Sequence, residues 1–459
     1  MLEPKGGTAV EIADCLKSAL EEKGISIDSL MGLCADTCNT NFGEHNSVTS
    51  YFQKLIPYLL ILKCVCHLIN LVSRKSFGVM PKAIDDMLHK FAKHFGKSPK
   101  QVAALRELQE FMGVEIHRIL FLSGTRWLAH GQCVDRVLEQ YSVLQKYFAD
   151  LGAKFAGNKK QKEKLAFINS ILQPPITKLY LQVSSHVLKV LDHFNKLFQK
   201  EVGLLFLLKP KLEEMMREIC GWYIKKKDLD SCSNIYLLNH KDPKIFKPRE
   251  SFYFGFDGDT TFKELSKVPK YKSDIDQFLT TVHRFYVEVV SQLKSHFDFV
   301  FSDPFYTFIE ITNPNLDPEK AMPSLAPIFN RFPPLSLIVD NHQETDREWR
   351  AYLDSNLIPS KEKSDQFWKK VAEVKNDTGN GKFANFLKVV NFLRSIPISN
   401  ACVERIHSHT KLIKTPSRNA MKNKTLKSLL ATKFGVKNVV EFEPSRNMLL
   451  KSISEEKKD

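Results

Sequence analysis

Ile396-Pro-Ile-Ser-Asn-Ala-Cys-Val-Glu-Arg-Ile-His-Ser-His409, with its continuation Lys411-Leu-Ile-Lys-Thr-Pro-Ser-Arg-Asn419 and Thr425-Leu-Lys-Ser-Leu-Leu430, is the stretch on which the reading of this chain turns. Pro397 closes what precedes it, and Ser399 or Asn400 is a ready N-cap for a helix starting at Ala401. Glu404 then falls in the first turns, where the positive end of the helix dipole favours a carboxylate. From Arg405 to Val440 there are nine Lys or Arg and no acid. A lone carboxylate followed by Arg405, Lys411, Lys414 and Arg418 suits phosphate-backbone chemistry or plain DNA binding. The competing reading is a solvated amphipathic helix pair with Leu426, Leu429 and Leu430 as its buried stripe.

The rest of the chain sets bounds. Its 459 residues allow two or three domains, and 43% apolar with 26% charged residues is an ordinary globular balance. A net charge of +15, spread along the chain, favours polyanions, with nucleic acid ahead of an anionic membrane. The nine scattered Cys point to reduced thiols and an intracellular location rather than a disulfide framework. The longest apolar run, Gly203-Leu-Leu-Phe-Leu-Leu208, falls far short of the ~20 residues of a membrane span. Neither a membrane nor a small-molecule substrate is expected as a partner.

In chain order, Val10–Lys23 has helical apolar spacing and stops at Gly24. Ser29–Ala35 reads as a buried strand ending on Asp36, a position where α/β sheets place functional acids. A short helix from Ser47 must end near Pro57. Tyr58–Cys64 reads as a second buried strand running into a helix, so Cys64 and His67 fall at a strand-to-helix junction on the sheet edge that carries Asp36. Cys34, Cys38, Cys64, Cys66 and His67 lack zinc-ligand spacing and lie on apolar segments, so no metal is assigned. Val79–Ala149 is helical with a break at Phe121–Leu128, where Trp127 beside Arg126 could stack on a base or anchor a helix to the core. Val183–Lys225, Gln277–Phe299, Ser364–Val374 and Phe383–Leu393 are helical. Asn239–Arg249 is a loop, and Tyr306–Ile311 is read as extended within an irregular Pro-rich stretch.

These segments together resemble the hAT superfamily of transposases. Gly32-Leu-Cys-Ala-Asp36 with Asn39–Gly43 looks like that family's second-aspartate motif. Lys63-Cys-Val-Cys-His67-Leu-Ile-Asn-Leu-Val72 looks like its Cys/Asp-x-x-His motif, and Ser123-Gly-Thr-Arg-Trp127 like its Thr-Arg-Trp motif. Ile396–Leu430 resembles its C-terminal dimerisation region. The resemblance implies a ribonuclease-H-like fold that holds two divalent metals between three carboxylates, which such chemistry needs to activate water. Asp36 looks like the second acid and Glu404 like the third. The first belongs on a strand ahead of Val10–Lys23, where only nine residues precede the helix, and the zinc-finger module of the family is not seen.

The fold class expected is therefore α+β and predominantly helical: an incomplete ribonuclease-H-like α/β core interrupted by a large all-α insertion. The expected divisions are 1–130 for the ribonuclease-H-like part, 131–380 for the insertion, 381–440 for the dimerisation region and 441–459 for a charged tail. The function expected is that of a transposase-derived, domesticated nuclear protein, non-catalytic, with Asp36 and Glu404 vestigial. It would self-associate through Leu412, Ile413, Leu426, Leu429 and Leu430. Non-specific DNA binding would use Cys64, His67, Arg126, Trp127, Arg405, Lys411, Lys414 and Arg418. No cofactor is expected, since Mg2+ or Mn2+ would enter only with a complete carboxylate trio. The alternatives are a fragment of an active metal-dependent transposase, and a helical scaffold that binds no DNA.

Overall fold

The structure is a computed structural model that describes residues 6–96, 98–120, 129–154, 159–200, 203–435, 443 and 445–446. Numbering only helices of eight residues or more, it opens with α1 (Ala9–Glu21). Thr8 caps α1 by accepting from the Glu11 amide, and the Glu11 carboxylate accepts in return from the Thr8 amide at 3.1 Å. Gly24, at φ +69°, turns the chain just beyond the end of α1. Strand β1 covers only Gly32–Ala35, shorter than the expected Ser29–Ala35. The reason is local: the Ser26 hydroxyl accepts from the Asp28 amide and coils Ile27–Ser29 into a 3-10 turn.

After β1 come α2 (Val48–Leu55), capped by Ser47, and strand β2 (Leu60–Lys63). The two strands pair in parallel, Gly32 opposite Leu60 and Ala35 opposite Lys63. Parallel neighbours need a crossover of a dozen or more residues, which the segment carrying α2 supplies. Two strands alone are marginal in water, so the sheet depends on what covers its faces. On one face Leu33 and Ile61 pack with Ala13, Phe52, Ile56 and Leu59 from α1, α2 and the turn after them. On the other, Leu60, Leu62 and Cys64 join the main core.

That main core is helical. Helix α3 (Val65–Phe77) follows β2 directly, with Val65, Cys66, Leu68, Ile69 and Val72 all buried. Next come α4 (Lys82–Phe95), α5 (Pro99–Phe111), α6 (Ala129–Glu139), α7 (Tyr141–Lys154) and α8 (Lys159–Leu172). The long α9 (Pro175–Phe198) is followed by α10 (Leu208–Tyr223), α11 (Phe256–Ser266) and the longest helix, α12 (Lys272–His296). Helix α3 packs on both α9 and α12, which fastens the sheet to the helical body. Gly255, at φ +83°, starts α11 where a Cβ would lie 2.8 Å from His186 Cγ. Helices α13 (His342–Leu353), α14 (Ser364–Glu373) and α15 (Ala384–Ser395) lead to α16 (Ala401–Ile413) and α17 (Asn423–Gly435).

The architecture is predominantly helical with a small two-stranded parallel sheet among the described residues. One buried core runs from Leu60 to Ile398 without a break at residues 130 or 380. None of the helices is long and apolar enough to cross a membrane among the described residues. All nine cysteines are unpaired thiols.

One expectation is corrected. Tyr306–Ile311 is not extended: Phe305–Phe308 is helical and Ile309–Thr312 forms a 3-10 turn. Pro304 suits the start of a helix, and coiling lets Phe305, Tyr306, Ile309 and Ile311 all reach the interior without a partner strand.

Candidate functional site at the sheet edge

The C-terminal ends of β1 and β2 lie side by side, with the Cys64 amide donating to the Ala35 carbonyl at 2.8 Å. Asp36 therefore leaves one strand beside the point where Cys64 leaves the other, and His67 lies in the first turn of α3. The Asp36 carboxylate accepts from Asn41 Nδ2 at 2.7 Å and from the Cys38 amide at 3.4 Å. Thr49 on α2 donates to the Asn41 carbonyl at 2.7 Å, so the loop that receives Asp36 is itself tied down. Partial burial works against charge on Asp36, but hydrogen bonds from Cys38 and Asn41, with His67 nearby, outweigh it and hold the carboxyl below its ordinary pKa.

Cys64 is the junction of the site. Its sulfur lies 2.7 Å from Asn400 Oδ1, to which the thiol donates, and accepts from the Asn400 amide at 3.4 Å. Closeness to Cys64 and burial raise the Cys34 and Cys66 thiols, and the Cys66 thiol donates to the Asn195 carbonyl at 3.8 Å. Cys34 and Leu62 are register partners, so Cys34 and Cys64 share the face of the sheet that meets the main core. Cys64 and Cys66 are fully buried.

Asn400 is the N-cap residue of α16, yet its side chain makes no cap and is given to Cys64 instead. Four neighbouring contacts complete the staple. The Val65 amide donates to the Ile398 carbonyl at 3.3 Å, Ser399 Oγ to the Phe198 carbonyl at 2.9 Å, and Arg405 Nη1 to the Gln199 carbonyl at 3.2 Å. Gly32 packs beside Ile396 and Pro397, which stand 3.6–3.7 Å from where a Cβ would lie, in ordinary contact. Glu404 is half-buried in the first turn of α16. Asn400→Leu should therefore cost about 1 kcal/mol, because the buried Cys64 thiol, a weak donor, loses its acceptor. Amide exchange in α16 should quicken while that in α9 stays slow; uniform protection across both helices would show that the staple holds nothing.

The edge thus gathers Asp36, Cys64, His67 and the start of α16. Neither Asp36 nor Glu404 belongs to a group of three converging ligand side chains among the described residues. The one such group is Glu115, His117 and Glu139. There the two imidazole nitrogens face different carboxylates: Nε2 lies 3.4 Å from Glu115 while Nδ1 meets Glu139. Arg136 Nε also binds Glu139, at 3.0 Å. These contacts tie the chain after α5 to α6.

The remaining expected site residues separate. Arg126 and Trp127 lie outside the described residues, as does most of the 441–459 tail. Lys411, Lys414 and Arg418 are exposed, whereas Arg405 is half-buried and spends a donor on Gln199. Among the apolar set, Leu412 is 72% and Leu429 41% exposed and Ile413 is half-buried, but Leu426 and Leu430 are buried at 1% and 8%. Leu426 and Leu430 are thus used inside the chain, in the α16–α17 hairpin, and are not surface residues. Sequence spacing missed Val403, Ile406 and Phe434, which are exposed on the same two helices. Their periodicity was visible, but not which side the partner helix would cover. No protein-family model matches this sequence.

Proposed function

We propose that this protein is a transposase-derived, non-catalytic association module, with an incomplete ribonuclease-H-like core, that pairs with a second copy of itself and binds nucleic acid without sequence preference in the nucleus. The observation that carries the reading is the α16–α17 hairpin. It is stapled to the body at the Asn400 end, its two helices pack on each other, and it leaves Val403, Ile406, Leu412, Leu429 and Phe434 between 41% and 72% exposed. Val403 and Ile406, three residues apart on α16, share one face and offer a second copy an exposed apolar surface. The exposed Lys411, Lys414 and Arg418 beside it favour a polyanion and oppose burial in the chain's own core. Support for a non-catalytic role comes from Asp36, whose carboxylate oxygen is engaged in holding its own loop.

Light scattering of the full chain tests this. The expected mass is twice 52.8 kDa, or about 106 kDa. Val403→Asp with Ile406→Asp, exposed at 48% and 42% on one face, should return the monomer without lowering the melting temperature. A parent that is monomeric at tens of micromolar, or variants that still pair, would sink the association reading.

A further inference from the structure

Far from the hairpin, α4 and α8 pack side by side and leave between them an open groove of about 790 Å3. Lys90 and Lys93 line one wall at i,i+3 spacing, and Lys160 and Lys164 line the other at i,i+4, so each pair points the same way from its helix. Two acids, Asp86 and Glu163, line it as well. None of the four lysines has a carboxylate within 4.0 Å among the described residues. Other helical lysines do pair, as Lys146 does with Asp150 at 3.0 Å and Lys196 with Asp192 at 3.3 Å. Lys90 is held in place by Phe167 from α8, its Nζ 4.8 Å from the ring centre.

The arrangement carries two unrelieved electrostatic costs. Burial, then repulsion from Lys90 and Lys93, holds the Lys164 ammonium below its ordinary pKa, so the three charges sense one another. Helix α8 also opens on Lys159 and Lys160 with no acid in its first turn, which sets cations at the positive end of the helix dipole. Both costs are relieved by a bound anion with more than one charge, and two facing rows of ammonium groups call for phosphates in series.

We propose that the α4–α8 groove is a phosphate-binding site whose occupant is the phosphodiester backbone of a nucleic-acid duplex, gripped by Lys90, Lys93, Lys160 and Lys164. The inference rests on the nucleic-acid part of the proposed function and gives that partner a place distinct from the C-terminal hairpin. Because ammonium groups on flexible stems contact phosphates as point charges, the grip is indifferent to base sequence.

Binding of a 20-base-pair duplex to the full chain, followed against salt from 50 to 200 mM, tests it. Each phosphate contact contributes about −0.9 to the slope of log K against log salt. The triple variant Lys90→Glu, Lys93→Glu, Lys164→Glu should flatten that slope by about 2–3 and weaken binding roughly tenfold or more at 100 mM salt. The milder Lys→Gln triple should show the same flattening with an unchanged melting temperature, which separates lost contacts from lost folding. A second triple, Lys411→Glu, Lys414→Glu and Arg418→Glu, should keep the greater part of the parent slope. If only that second triple loses binding, the groove assignment is overturned while the proposed function stands. If the parent fails to bind duplex at 50 mM salt, both fall. If inorganic tripolyphosphate binds in the groove and duplex does not, the site is a small-anion site and the proposal is overturned.

Discussion

Acidification from pH 7 towards pH 4 lowers the melting temperature of this protein progressively. His94, His240 and His296 are all pushed down to about 4, in each case by burial first and then by neighbouring lysines. The structure uses each as a neutral ring. His94 meets the Tyr147 hydroxyl at 3.2 Å inside an aromatic cage, His240 meets Ser291 Oγ at 2.9 Å, and His296 Nε2 lies 3.2 Å from Lys75 Nζ, so it must accept. Unfolded imidazoles titrate near 6.5, so below that pH the unfolded chain binds more protons than the folded one. The stability these rings supply is complete above about pH 6.5 and is lost as the pH falls through about 4. Asp192, Glu218, Glu310 and Glu348 act in the opposite sense, because burial raises them and protonation then favours the fold. Asp36 and Glu139, held below the ordinary carboxylate range, act with the histidines. Melting followed between pH 7.5 and 5 checks this, and His94→Phe with His240→Gln should flatten the dependence. A melting temperature that stays level or rises over that range would refute it.

Gly255→Ala should be the most damaging small substitution in the helical body. Gly255 sits at φ +83° and ψ 161°, a region of backbone space essentially closed to residues with a Cβ. The added carbon would also stand 2.8 Å from His186 Cγ and 3.0 Å from His186 Cβ. Strain and overpacking together come to about 3 kcal/mol or more. Gly379→Ala is the control: its φ is +81°, but a Cβ there meets nothing within 4 Å, so strain of about 1 kcal/mol remains alone. Thermal denaturation of the two variants separates the effects, and equal losses would mean that the contact with His186 carries no cost.

Features with a local cause could be read from the sequence. Gly24 ends α1, Ser47 begins α2, and the approach of Pro57 stops it, because capping and proline geometry act within a few residues. The adjacency of Asp36 and Cys64 followed from two short apolar runs separated by one helix, the spacing of a parallel pair. What escaped was set by packing between distant segments. Asn400 was expected at the head of α16 and is there, but its amide turns to a sulfur from residue 64 rather than to its own helix. Leu426, Leu429 and Leu430 share one spacing, yet Leu429 faces solvent, a choice made by where α16 lies and not by periodicity. Tyr306–Ile311 misled because a short apolar run suits a buried strand and a buried helical turn equally. The lysine groove is made by two helices whose first residues, Lys82 and Lys159, lie 77 apart, Lys90 and Lys160 being unremarkable in either segment alone.

The bond between Cys64 and Asn400 joins residues 336 apart. During synthesis, at about 5–20 residues per second, a nascent chain would wait roughly 20–70 s between making the sulfur and making its partner. Through that interval the sheet edge has no cover from its own C-terminal segment, and the thiols of Cys34, Cys64 and Cys66 wait for it. Slow codons between the two halves would lengthen that exposure without altering a single residue of the finished protein.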